Sequence, residues 1–285
     1  MSDSSPKTYK IILMVLPVGV VIGTIIFMFM YFYNERRDEQ KFQAIAAHEL
    51  SVEDLSDVVG KFSKRIGVRD VETEEGRNGL KSASSMIEGR LGPQNVGFTV
   101  KKDEGEAKHG KLWKSLWVDI RGKKKPNNVV IAAVSFAGKG EVADANATST
   151  LLMLASAMAR DEPSRTIRFV FLPFDQSPAE QNAWLLQRCI AEGEVCDGII
   201  GIQTMKGDLE VGDSEWQLAD NSADSQAWWS FLQGGQPRPA NAAPSVWVSH
   251  SVYAPEAWAG QRDRRLEKTV AITKSIMFWL RQAAE

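Results

Sequence analysis

The chain has 285 residues, with 34 Lys and Arg against 36 Asp and Glu and a formal net charge of −2. That length suits one globular domain with a tail. A balance so close to neutral gives no basic footprint for nucleic acid and no field to draw an acidic substrate.

Residues 1–10 form a polar tail containing Lys7 and Lys10. Residues 11–33, opening at Ile11 and closing at Tyr33, carry no charged side chain. As a helix this run would extend roughly 30 Å, enough to cross a bilayer. Tyr31 and Tyr33 stand at its end, where interfacial aromatics belong. A cleaved signal peptide fits less well, because the apolar run is too long and no small-residue cleavage site follows. The expectation is one uncleaved transmembrane helix. Lys7 and Lys10 before it and Arg36, Arg37 and Lys41 after it leave the positive-inside count undecided. Gly19 and Gly23 make a G-x-x-x-G spacing that would let two such helices approach as a homodimer.

Residues 34–50 are charged and helix-prone, as in a juxtamembrane helix or stalk, and a folded domain is expected over residues 51–285. Leu55, Val58, Val59, Phe62 and Ile66 recur at helical spacing; so do Leu80, Ala83, Ile87 and Leu91 beyond a loop at residues 67–76. Residues 97–100 open a strand, residues 101–111 read as a solvated hairpin tip, and residues 116–120 pair back. Lys123, Lys124 and Lys125 before Pro126 read as a solvated turn.

The stretch around which the domain is organised follows. Residues 129–136 are a nearly unbroken apolar run rich in β-branched side chains, as expected of a strand buried on both faces. Residues 146–160 place Leu151, Leu154, Ala155 and Met158 on one helical face, with Asp144 or Asn146 as N-cap and Pro163 past the end. Residues 166–174 form a second buried strand ending at Asp175 and Gln176. This is the order of a parallel crossover unit, whose ligands bind outside the carboxyl ends of the strands. Chemistry would therefore sit at residues 134–145 and at Asp175–Gln176.

Residues 127–176 resemble the core of the zinc-dependent aminopeptidase and carboxypeptidase family, which includes bacterial leucine aminopeptidases and the inactive transferrin-receptor ectodomain. The family reads strand, G-A-H-x-D, loop, G-A-D-D-N-A-S-G, helix, then R-x-I-x-F leading to E-E. This chain has Ala132-Ala133-Val134-Ser135-Phe136, then Val142-Ala143-Asp144-Ala145-Asn146-Ala147-Thr148-Ser149, then Arg165-Thr166-Ile167-Arg168-Phe169 leading to Asp175-Gln176. The resemblance implies a three-layer α/β/α fold with a mostly parallel, mixed central sheet.

It also implies where ligands would stand. The first histidine falls on Val134 and the aspartate orienting it on Phe136; the bridging aspartate falls on Ala145, beside a retained Asp144. The general-base glutamate falls on Asp175, its glutamate neighbour on Gln176, and a further aspartate on Gln203. His250 matches the last histidine, but residues 251–256 lack the family's following aspartate. Zinc needs several N, S or O donors; valine and alanine offer none and neutral glutamine is a poor one. No cofactor is expected. A lone histidine is commonly a hydrogen-bonded structural residue.

Cys189 and Cys196, the only two cysteines, could close a small disulfide loop in an oxidising compartment or remain buried thiols. That pair favours a cytoplasmic N-terminus and an extracytoplasmic domain. Trp216, Trp228 and Trp229 suit an aromatic recognition surface or caps on the core. Residues 245–248 form a short strand leading to His250, and Leu266, Val270, Thr273, Met277 and Leu280 stripe a C-terminal helix. No G-x-S-x-G elbow, P-loop or dinucleotide fingerprint occurs. Two functions follow: a membrane-anchored, non-catalytic peptidase-fold domain that acts in binding or as part of an envelope protein complex, its protein partner unidentified, or a metallo-aminopeptidase with a rearranged site, one zinc on His250 and Asp144 or Asp175, Asp175 being its catalytic group.

Overall fold

The computed structural model describes residues 23–24, 26–30, 50–107, 111–140, 142–204, 217–218, 222–233, 237–239, 244–250 and 262–285. The chain divides into two units, Met1–Ile45 and Ala46–Glu285. In the first, residues 23–24 and 26–30 are helical, and Ile26, Phe27, Met28, Phe29 and Met30 are exposed. The rest of the expected membrane span, Gly19 and the stretch 34–49 lie outside the described residues. Among the described residues no helix is long and apolar enough to cross a membrane.

The second unit opens with α1 (Val52–Gly60), capped by Ser51 Oγ, which accepts from the Asp54 N–H at 3.1 Å. A π-helical turn, Lys61–Ile66, continues it until Gly67 turns the chain at φ +74°. Thr73 caps α2 (Glu74–Leu91), and Arg90 of α2 pairs with Asp54 of α1 at 2.8 Å. The hairpin β1 (Lys101–Ala107) and β2 (Lys111–Ile120) follows. Then come β3 (Lys125–Ser135), α3 (Val142–Met158), β4 (Arg165–Leu172), α4 (Pro178–Arg188) and β5 (Val195–Thr204). The chain continues through β6 (Gln217–Leu218), α5 (Ala223–Leu232), β7 (Ser245–His250) and α6 (Arg262–Ala283).

The strands make one seven-stranded sheet in the order β1-β2-β4-β3-β5-β7-β6. β4, β3, β5 and β7 are mutually parallel, and β1, β2 and β6 are antiparallel additions at the edges. This is the mixed α/β architecture that the resemblance implies. Successive side chains of a strand face opposite ways, so β3 divides itself between two cores. Val130, Ala132 and Val134 pack in the larger one with α1, α2, α3, α5 and α6. Val129, Ile131 and Ala133 pack in the smaller one, with Leu185 of α4.

Several expectations need correction. Residues 101–107 and 111–115 are strand rather than hairpin tip, because an edge strand keeps its charges in water while its backbone pairs on one side only. Residues 97–100 are not strand: the Phe98 and Gly97 N–H groups donate to the Leu91 and Gly92 carbonyls at the end of α2. Lys125 and Pro126 belong to β3, where a register shift between Lys125 and Val129 accommodates the proline. Helix α3 starts at Val142, which puts Asp144 in its first turn and not at its cap. Cys189 and Cys196 are separate, buried free thiols, one closing α4 and the other inside β5.

Trp228 is fully buried over Gly198 of β5, where a Cβ would come within 2.5 Å of the indole. The Arg238 guanidinium lies 5.3 Å from that ring's centroid and donates to the Ala283 and Asp197 carbonyls. Trp228 therefore builds the core. Trp216 lies outside the described residues.

Candidate functional site at the carboxyl edge of the sheet

The parallel strands end together. Ser135 of β3 sits opposite Leu172 of β4, Gln203 of β5 opposite Ser249, and Thr204 opposite His250 of β7. In open α/β sheets this edge is where ligands gather. The sequence-derived positions reach the edge region in unequal states. Val134, Phe136 and Ala145 are fully buried in the larger apolar core. Gln203 is half-buried near the end of β5. Asp175 and Gln176 are exposed in the turn between β4 and α4. There the Gln176 carbonyl accepts from Gln181 Nε2 at 2.8 Å, and Ser177 and Glu180 form a capping box that starts α4. The His250 side chain lies outside the described residues.

Asp144 is buried, and its Oδ2 accepts from the Lys139 N–H at 2.8 Å. A Cβ on Gly138 would come within 2.3 Å of that oxygen, so only glycine fits there without displacing the carboxylate. Thr148 Oγ1, one turn into α3, donates to the Asp144 carbonyl at 3.0 Å and to the Ser135 carbonyl at 3.4 Å. The acidic residue that the sequence singles out is thus built into the β3–α3 loop.

The loop has a second brace. Arg69 and Gly138 exchange backbone hydrogen bonds at 2.7 and 2.8 Å, an isolated antiparallel bridge. The Arg69 side chain is fully buried, with Nε donating to the Phe136 carbonyl at 2.6 Å. Its Nη1 donates to the Gly67 and Phe62 carbonyls at 2.7 and 3.0 Å. Burial pushes the guanidinium below its ordinary value, while the Asp144 charge pulls it back up. Gly140, at φ +84°, packs its backbone against that of Gly67. Nothing in the sequence points to Arg69: its contact with Phe136 spans 67 residues, and its stretch reads as loop. As the sequence implies, Ser135 lies in a strand and not at a strand-to-helix elbow, and it ends β3. It lies on the opposite face of β3 from Val134, and its buried Oγ has no hydrogen-bond partner among the described residues.

No protein-family model and no curated protein matches the sequence. Solved structures do match. A zinc aminopeptidase from Bacillus subtilis superposes with a TM-score of 0.57 at 10% identity, over 80% of this chain and 95% of its own. A Zn-dependent exopeptidase from Parabacteroides distasonis gives 0.53 at 12% identity, over 82% and 99%. A glutaminyl cyclase from Porphyromonas gingivalis gives 0.52 at 12% identity, over 81% and 97%.

The fold is that of the zinc exopeptidases. Identities this low establish the architecture and leave the activity open, because one fold hosts many chemistries. The zinc in the first two names requires clustered N, O or S donors. At positions where the resemblance puts donors, Val134 and Ala145 are buried hydrocarbon and do not fit that requirement, while Asp144 Oδ2 accepts from the loop backbone. Among the described residues no three His, Cys, Asp or Glu side chains gather to hold a metal ion.

Proposed function

We propose that this protein is a membrane-anchored, non-catalytic member of the exopeptidase fold that works in binding a protein partner or as part of an envelope complex. The observation that supports it is the pairing of an intact scaffold with hydrocarbon at Val134 and Ala145, where the resemblance puts zinc donors. The anchor is residues 11–33, with the N-terminus in the cytoplasm and the domain outside it. Helix pairing through Gly19 and Gly23 would make the anchor a dimer.

The test is hydrolysis of aminoacyl p-nitroanilides by the full-length chain, with and without zinc and chelator. The expected result is no hydrolysis that a chelator abolishes. Chelator-sensitive turnover that is lost in His250→Ala and in Asp175→Asn would overturn the proposal in favour of a single-zinc aminopeptidase.

A further inference from the structure

A buried carboxylate needs hydrogen bonds, a positive counterpart or both, or it is driven out of the core or protonated. At the β3–α3 loop the carboxylate is Asp144, whose Oδ2 accepts from the Lys139 N–H, and Arg69 is a buried cation whose charge couples to it. The geometry connects them through one residue. Gly138 exchanges both backbone hydrogen bonds with Arg69 and presents its bare Cα to the Asp144 carboxylate. Three backbone carbonyls, of Phe62, Gly67 and Phe136, hold the guanidinium in place. Its Nη2 makes no hydrogen bond among the described residues, so its charge is not consumed by a contacting carboxylate there.

We propose that Arg69 is the resident cation of this edge: its guanidinium supplies the positive charge against which the Asp144 carboxylate and the β3–α3 loop are assembled. The inference rests on the metal-free reading above and deepens it. Where the resemblance implies metal ions drawing carboxylates together, this chain carries a fixed cation on a neighbouring segment. The loop therefore takes its shape without a metal.

The experiment is a double-mutant cycle on the full-length chain, unfolded in urea and followed by tryptophan fluorescence. All nine tryptophans lie at or beyond Trp113, so the signal reports the Ala46–Glu285 unit. Arg69→Met keeps an apolar stem and removes the charge; Asp144→Asn keeps an acceptor for the Lys139 N–H and removes the charge. Each single change should raise the unfolding equilibrium constant by about tenfold or more, and the double variant should be about tenfold more stable than the two losses combined. The wild-type curve should be the same in chelator and in zinc.

Additive losses would overturn the proposal and reduce Arg69 to a backbone brace. If Arg69→Met does not fold, Arg69→Lys replaces it. Lysine keeps the charge, so Asp144→Asn should cost as much in that background as in the wild type; a cost that vanishes there overturns the proposal. Missing coupling in a protein indifferent to zinc defeats this inference and leaves the metal-free reading standing. A curve shifted to higher urea by zinc and to lower urea by chelator defeats that reading, and with it the claim that Arg69 acts in place of a metal.

Discussion

Cys189 and Cys196 lie in the smaller apolar core, where burial pushes their thiols up to about 12 and about 11. The nearby Arg168 charge only partly offsets this for Cys189. Thiolate is the reactive form, so at pH 8 the folded thiols should react with a disulfide reagent at least about a hundredfold more slowly than in denaturant. The sign for stability follows: this contribution is fully present below the ordinary thiol range and is lost as pH rises toward these values. A reagent that labels both sites within seconds at pH 8 would contradict the burial. These cysteines also mark what a sequence can and cannot say about single residues. Their closeness in the chain was plain, but that each would be a buried free thiol depended on the end of α4 and on β5 packing into one apolar core. Arg69 was less legible still, since an arginine in a loop gives no hint that a carbonyl 67 residues further along the chain receives it.

Secondary elements are joined by polar contacts as well as by apolar packing, and among the described residues Arg168 joins four segments. From β4 it donates to Asp119 of β2 at 2.7 and 2.9 Å, and to Glu194 before β5 at 2.8 and 3.0 Å. A further donation, to the Cys189 carbonyl, ties in the end of α4. Burial raises Asp119 and Glu194, but the Arg168 hydrogen bonds and charge outweigh it and hold both below the ordinary carboxylate range. Their contribution is therefore present above that range and lost as pH falls through the depressed values. Asp119→Asn should cost on the order of 3 kcal/mol at pH 7, because it leaves a buried guanidinium half-paired. The gap to the wild type should narrow as the pH falls from the ordinary carboxylate range through the depressed value of Asp119. Urea unfolding across that range measures it; a gap independent of pH would refute the assignment. At this scale the sequence was most readable where burial is complete. The apolar runs of β3 and β4 and the helix between them declare themselves, whereas β1, at the sheet edge, carries the charges that make a strand look like a loop.

The Ala46–Glu285 unit has the exopeptidase fold, with buried hydrocarbon at Val134 and Ala145 beside the carboxyl edge of its sheet. The scaffold was legible because hydrophobic periodicity and crossover order are what the sheet and its two cores require. The edge was legible only as a set of missing donors. The grip of Arg69, Gly138 and Asp144 on the β3–α3 loop depends on backbone geometry that the sequence pattern does not record. The central claim is that the fold works without a metal. It is tested most directly by the zinc content of the purified full-length chain, free of tag histidines, incubated with zinc and dialysed, and measured by elemental mass spectrometry. The account expects under about one-tenth of an equivalent; near-stoichiometric zinc that disappears in His250→Ala would contradict it.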